Sequence, residues 1–172
     1  MDALLAIASR REVREYLDEP VPDAIVHRIL EAGRAAGSGR NRQPSRFIVV
    51  RSRELLDELA ETVSRATNLQ GAPLLVVVVV QGEGPLAFDG GRSAQNLMLA
   101  AWSEGIGSCP NGFIDKARAA ELLALTPDQE LLMGISLGYP LHPPPPADSR
   151  SPAEWISGLD RLPLDEVVQA WL

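Results

Sequence analysis

The 172-residue chain is poor in the residues that build disulfides, metal sites and nucleophilic triads, since it has one cysteine and two histidines. A single cysteine, Cys109, excludes an internal disulfide and is typical of a reducing compartment. His27 and His142 show no ligand or triad spacing, so the sequence predicts neither a metal site nor a hydrolytic triad. Cys109 is interpreted as a buried thiol, with an isolated nucleophile as the alternative.

Long apolar runs and an excess of positive charge are also missing. The longest apolar run, 72–80, has nine residues, which is too short for a membrane-spanning helix. The net charge of −7 excludes a general affinity for nucleic acid or for an anionic membrane surface. Because residues 1–11 show no signal-peptide pattern, we expect a cytoplasmic protein with neither membrane nor nucleic acid among its partners.

Hydrophobic periodicity indicates alternating helices and strands in one domain, residues 1–172. The run Ala72–Gln81 lacks polar alternation, so this strand is expected to be covered on both faces. The alternating order indicates an α/β or α+β fold. Further predicted strands are 47–50 and 130–138, and the predicted helices are 3–9, 23–36, 53–63, 89–104, 116–125 and 164–171.

Two stretches have unusual compositions. The predicted helix 89–104 is apolar around most of its circumference, which indicates burial in the core or in a subunit interface. Residues 142–151 include four consecutive prolines, which favour a stiff polyproline II arm.

Arginine and glycine concentrate in a few short segments. Arg10, Arg11 and Arg14 fall between two predicted helices. The segment GSGRNRQP (37–44) leads directly into a predicted strand, and GIGSCPNGF (105–113) is interpreted as a second glycine-rich turn. Forked guanidinium groups suit phosphate. Taken alone, each segment is more typical of a solvated arginine face or an ordinary turn than of a binding site.

Taken in order, these segments resemble the nitroreductase family of flavoproteins along almost the whole chain. The matching motifs are SRREVREY with EPVP (9–22), AGRAAGSGRNRQPSRFIVV (32–50), GAPLLVVVVV (71–80), QNLMLAA (95–101), GIGSCPNG (105–112) and LGYP (137–140). The resemblance implies a three-layer α+β fold, with a central mixed sheet flanked by helices. It also implies a homodimer that binds FMN at the subunit interface.

The resemblance further assigns candidate FMN ligands. The arginines would bind the phosphate and ribityl chain, the polar loop would reach the flavin from the other subunit, and Gly112 would present its backbone N–H to the ring. A glycine at 112 is expected to permit close approach in an unusual backbone conformation. The candidates are Arg10, Arg11, Arg14, Ser38, Gly39, Asn41, Gln43, Asn68, Pro110, Asn111, Gly112 and Arg161.

The activity implied is that of an FMN-dependent oxidoreductase. It would take a hydride from NADH or NADPH and reduce a second substrate, such as a nitroaromatic or a quinone, by a ping-pong mechanism. No side chain is expected to act as a catalytic acid, base or nucleophile, because the flavin carries the chemistry. Two alternatives stay open: a specialised dehydrogenase, dehalogenase or flavin-fragmenting enzyme, and a non-catalytic flavin-binding protein.

Four features depart from the family pattern. Glu12 replaces a small hydroxyl residue. Three arrangements are open for its carboxylate: it repels the phosphate, it turns outward, or it pairs with Arg14. Gly37 and Ser45 replace a proline and an aromatic residue. Only residues 82–88 stand where larger relatives insert a lid. We therefore expect an open pocket, with the arm 142–151 as a candidate cover, and a bulky, flat or loosely selected second substrate.

Overall fold

The computed structural model describes residues 2–170, which divide into two compact units. One unit is Arg11–Pro144 and contains the sheet; the other joins the residues up to Arg10 with those from Pro145 onward. A single domain over residues 1–172 stays a prediction. The helices are α1 (Ala3–Ser9), α2 (Asp23–Arg34), α3 (Arg53–Ala60), α4 (Thr67–Gln70), α5 (Leu86–Ser103), α6 (Lys116–Leu122), α7 (Pro152–Ser157) and α8 (Leu164–Val167). The strands are β1 (Ser45–Val50), β2 (Leu74–Gln81), β3 (Gly107–Asn111) and β4 (Gln129–Gly138).

The four strands form one sheet in the order β1-β2-β4-β3. All three strand pairs are antiparallel, so the predicted mixed sheet is wrong for these strands. Among the described residues, the isolated bridge from Glu12 to Ser108 is parallel. The mixed sheet was an implication of the family resemblance, and the apolar run in β2 could not have corrected it, because an antiparallel strand between two helical layers is also covered on both faces.

Strand β2 lies at the centre of the core and separates two apolar clusters. Leu74, Val76 and Val78 face a cluster that includes residues of α2 and α5. Their neighbours Leu75, Val77 and Val79 face a cluster that includes residues of α3 and α6. Every one of these side chains is fully buried. The prediction that this strand is covered on both faces is confirmed, and it gives the unit three layers.

Local signals placed most of the predicted helix starts correctly, whereas α2, α3 and α6 end two to three residues before their predicted ends. The side chains of Asp2, Ser52 and Asp115 accept hydrogen bonds from the first turns of α1, α3 and α6, as predicted for helix caps. Helix α5 begins at Leu86, three residues before the predicted start at Asp89. The last helix ends at Val167 and residues 168–170 are not helical, so the predicted helix 164–171 is too long, and its predicted end at Trp171 lies outside the described residues.

Three elements were not predicted: β3, α4 and α7. The segment 105–113 was interpreted as a turn, yet 107–111 pairs with β4 along its length. Helix α7 follows the proline-rich arm and packs on α1 within the smaller unit. Its start is fixed by a capping box between Ser151 and Glu154, and the indole N–H of Trp155 donates to the Ala147 carbonyl at 2.8 Å.

Helix α5 approaches the sheet closely at Gly90. A Cβ atom at this position would lie 2.5 Å from Leu132 Cδ2 and 2.8 Å from Val80 Cγ1. We expect Gly90→Ala to lower the free energy of unfolding by about 1–3 kcal/mol, because the added methyl overpacks this contact. Urea denaturation measures the change.

The neighbouring glycine provides a matched control for Gly90. A Cβ atom at Gly91 would meet no heavy atom within 4 Å. Since alanine is the better helix former, Gly91→Ala is expected to be neutral or stabilising by up to about 1 kcal/mol. Equal losses from the two substitutions would show that the close approach at Gly90 is absent.

Candidate flavin site

The basic segment that follows α1 is fastened to the sheet through its backbone. The Val13 N–H donates to the Ser108 carbonyl at 3.0 Å, and the Leu17 N–H donates to the Tyr139 carbonyl at 2.9 Å. Arg14 lies between these anchors and is exposed, while Arg11 precedes them and is half-buried. The segment therefore holds two guanidinium side chains beside β3, the edge strand that ends at Asn111.

Glu12 pairs with Arg14 in this segment. A carboxylate oxygen of Glu12 lies 2.6 Å from Nη2 of Arg14. Of the three arrangements considered for Glu12, the structure thus shows the ion pair. Both side chains keep more than a third of their surface exposed, so the pair is weak and can exchange partners.

Asn68 and Asn111 meet at the end of β3, inside a buried polar cluster. Asn68 Nδ2 donates to Asn111 Oδ1 at 2.9 Å, and Asn111 Nδ2 donates to Ser136 Oγ at 3.2 Å. The two asparagine side chains are 6% and 3% exposed. Cys109 is buried beside them, which confirms its interpretation as a buried thiol. The Asn111 amide is therefore satisfied within the chain, and a ligand would meet chiefly its backbone.

Gly112 follows this cluster and is exposed. A Cβ atom here would meet no heavy atom within 4 Å, so the space beside its backbone is open. Its φ lies outside the left-handed region, which makes the expected unusual dihedral wrong. The Gly112 carbonyl accepts a hydrogen bond from the Ser64 N–H at 3.2 Å, which holds this turn in place. The open side leaves room for a planar ring against the main chain.

The polar loop before β1 has a strained backbone. Arg40, Asn41 and Gln43 have φ values of 52°, 54° and 50°. Left-handed conformations are uncommon for non-glycine residues and concentrate at ligand-binding sites. The loop is closed by Ser38 Oγ, which accepts from the Gln43 N–H at 2.8 Å, while the side chains of Asn41 and Gln43 stay exposed. The loop is thus held in an energetically unfavourable backbone conformation, with the side-chain amides of Asn41 and Gln43 facing outward.

Asp89 ties this loop to α5. Its Oδ2 accepts from the Gly39 N–H at 3.1 Å, and its side chain is buried. Beside the loop lies a cavity of about 430 Å³. Ser45, where an aromatic residue was expected, lines this cavity and shares a 2.8 Å hydrogen bond with Ser93. Ser38 and Gly39, both predicted to reach the flavin, hold the loop in place through these hydrogen bonds.

The two groups of candidate residues lie at opposite edges of the sheet. The loop 37–44 enters the edge strand β1, whereas Pro110, Asn111 and Gly112 lie at the end of the edge strand β3. Two strands separate them, and three strand spacings amount to about 14 Å. One chain therefore brings Asn68, Asn111 and Gly112 together but does not bring the loop to them.

Comparison with known proteins identifies the relatives of this chain. The model of the nitroreductase family matches residues 7–90 and 68–139. The chain belongs to the nitroreductase family. A protein from Methanothermobacter thermautotrophicus, assigned as an NADH dehydrogenase/NAD(P)H nitroreductase, is 32% identical over 161 residues, covering 88% of this chain and 84% of its own.

Two solved structures extend the comparison. A protein from Desulfovibrio desulfuricans, assigned as a nitroreductase and crystallised in complex with FMN, is 31% identical with a TM-score of 0.80, covering 100% of this chain and 98% of its own. An FMN-dependent nitroreductase from Clostridium difficile is 25% identical with a TM-score of 0.76, covering 80% of this chain and 87% of its own. The chain therefore has the nitroreductase-like α+β fold and is an oxidoreductase of that family.

The other two arginine candidates of this nitroreductase-family chain lie in the smaller unit. Arg10 is half-buried and follows the last turn of α1, where its N–H donates to the Ala6 carbonyl at 3.1 Å. Arg161 is exposed, and its Nη1 donates to the Asp160 carbonyl at 2.6 Å.

Within residues 2–170 no cluster of three His, Cys, Asp or Glu side chains is arranged to hold a metal. In the same range no helix has both the length and the apolar content to cross a membrane.

Proposed function

We propose that this chain is an FMN-dependent oxidoreductase that uses NADH or NADPH to reduce a small-molecule acceptor, such as a nitroaromatic or a quinone, by a ping-pong mechanism. The observation that carries the proposal is the FMN-bound relative that covers 100% of this chain at 31% identity. FMN supplies hydride and electron transfer when bound. The chain's own residues bind it, orient it and decide which acceptor reaches it.

The residues present fit FMN in charge and in shape. Arg11 and Arg14 supply guanidinium groups for a phosphate dianion, which forked donors bind well, while Arg10 and Arg161 stay candidates from the family resemblance alone. Gly112 leaves open space beside its backbone, which a flat ring requires. The outward amides of Asn41 and Gln43 suit the polar atoms of a flavin. These features support a site in which protein contacts position the cofactor and no side chain acts as acid or base.

A homodimer is part of the proposal, because the loop and Gly112 lie at different edges of one sheet. A second copy would bring its own loop to the arginines and Gly112 of the first, and the reverse holds by two-fold symmetry. Each dimer would then hold two equivalent sites. The strained backbone at Arg40, Asn41 and Gln43 supports a role of the loop in such a contact.

The colour of the purified protein tests the proposal. We expect a yellow protein with close to one FMN per chain, whose flavin absorbance bleaches when NADH or NADPH is added without oxygen. Colour without bleaching would favour a storage protein or a specialised reaction. A colourless protein that cannot be reconstituted with FMN would overturn the proposal.

An open pocket and a loosely selected acceptor belong to the same proposal. Helix α5 starts at Leu86, only five residues after β2 ends, and the Phe88 side chain near its start is 66% exposed. An exposed aromatic ring beside a short connection suits flat acceptors of varied size. Comparable kcat/KM values over a series of nitroaromatics and quinones are expected, whereas sharp discrimination among small nitroaromatics would contradict this part.

The ion pair of Glu12 with Arg14 yields a prediction about affinity. Glu12→Gln removes a carboxylate that repels a phosphate and leaves Arg14 free to bind it. We expect FMN to bind more tightly by about 0.5–1 kcal/mol, the range of an exposed charge pair. Titration of the apoprotein with FMN measures it. The control is Glu58→Gln, which breaks the comparable exposed ion pair between Glu58 of α3 and Arg118 of α6 and should leave FMN binding unchanged. Weaker FMN binding by Glu12→Gln would contradict the expectation.

A further inference from the structure

We propose that Tyr16 and Ser136 are positioning residues that lock the end of β3, just before Gly112, to the basic segment carrying Arg11 and Arg14. The proposal rests on the FMN site described above. Neither residue needs to touch the cofactor. They act through a continuous chain of buried hydrogen bonds between the two segments.

The first half of this chain joins the basic segment to the centre of the sheet. The Tyr16 hydroxyl donates to the carbonyl of Val13, which lies between Arg11 and Arg14. The same oxygen lies 3.0 Å from Ser136 Oγ on β4. Tyr16 is 7% exposed and Ser136 is completely buried, so water does not compete for these groups. Burial raises the pKa of Tyr16 above its usual value, which keeps the phenol protonated as a donor.

The second half joins Ser136 to the end of β3. Ser136 Oγ accepts from Asn111 Nδ2 at 3.2 Å, and Asn111 Oδ1 accepts from Asn68 Nδ2 at 2.9 Å. A second proton on Asn111 Nδ2 goes to the Cys109 carbonyl at 2.9 Å. The asparagine amide therefore cannot turn without breaking bonds in a buried site.

The protons of this chain admit a head-to-tail order. Asn68 donates to Asn111, Asn111 to Ser136, Ser136 to Tyr16, and Tyr16 to the Val13 carbonyl. Aligned hydrogen bonds polarise and strengthen one another in a low-dielectric interior. Removing either hydroxyl interrupts this chain of side-chain hydrogen bonds, although the backbone bond from Val13 to Ser108 and the backbone pairing of β3 with β4 remain. The expected consequence is a looser site in a protein that still folds.

FMN titration of apoprotein variants tests the proposal. Tyr16→Phe and Ser136→Ala each remove one hydroxyl and are expected to raise the Kd for FMN by roughly tenfold. The double variant is expected to match the single ones, because both interrupt the same chain. At saturating FMN, the visible spectrum of the bound flavin should shift in both variants. Tyr139→Phe removes a phenol outside the chain and is expected to leave the Kd and the spectrum unchanged.

The outcomes separate this proposal from the proposed function. If the unmodified protein does not bind FMN, the proposed function fails, and this inference fails with it. If it binds FMN while both variants keep its Kd and its spectrum, only the positioning role is overturned. Thermal unfolding of each apoprotein shows whether it is folded, and either folded variant suffices. Additive effects of Tyr16→Phe and Ser136→Ala on the Kd would also contradict a shared chain.

Discussion

Replacing Leu97 with alanine is expected to lower the free energy of unfolding by about 2–5 kcal/mol. Leu97 is completely buried on α5, in the cluster that joins this helix to α2 and to β2. A Cβ atom at Gly33 would lie 2.7 Å from Leu97 Cδ2, so the backbone of α2 packs directly against this side chain. Gly33 has no side chain that could move in to fill the cavity, which places the expected loss in the upper half of the range.

Urea denaturation of Leu97→Ala against a matched leucine tests this expectation. Leu164 is 72% exposed, and Leu164→Ala removes the same atoms. Its effect is expected to stay within about 0.5 kcal/mol, as for most surface substitutions. Losses of similar size at the two positions would contradict the packing of α5 against α2.

Arg10→Ala is expected to weaken FMN binding by about 1.5–3 kcal/mol, the value of a hydrogen bond to a charged group. Arg10 is half-buried at the end of α1, where it has lost more rotamer freedom than a fully solvated arginine. Equilibrium dialysis of the apoprotein against FMN measures the change. Arg118→Ala is the control, because that side chain is 54% exposed and pairs with Glu58. Unchanged FMN binding in Arg10→Ala would place the phosphate elsewhere.

Local patterns in the sequence predicted the elements whose signals are themselves local. Asp2, Ser52 and Asp115 cap helices because a short polar side chain before an apolar stripe acts within three residues. Strand β3 was missed because Gly107 and Pro110 are turn residues by propensity, and pairing with β4 overrides that preference. Strand direction depends in the same way on long-range pairing, so no local pattern could test the mixed sheet that the resemblance implied.

The candidate site shows the same division between local and distant information. The pairing of Glu12 with Arg14 was among the predicted arrangements, because the two residues are neighbours in the chain. Ser136 carries no sequence signal, since it meets Asn111 only through the register in which Cys109 opposes Ser136. Asp89 was predicted only as the start of a helix. Its hydrogen bond with the Gly39 N–H could not be predicted, because it depends on the fold of the loop. Residues that support a site from a distant segment are therefore the hardest to predict.

Mixing two defective variants tests the shared site most directly. One variant carries Arg11→Ala and Arg14→Ala, and the other carries Asn41→Ala and Gln43→Ala, so the two defects lie at opposite edges of the sheet. Each is expected to lose FMN binding at a concentration that saturates the unmodified protein. Unfolding and refolding them together in equal amounts should restore about a quarter of the normal sites, because half of the dimers would be mixed and each would hold one intact site. A mixture that binds no more FMN than the two variants measured separately would contradict a site built from two copies.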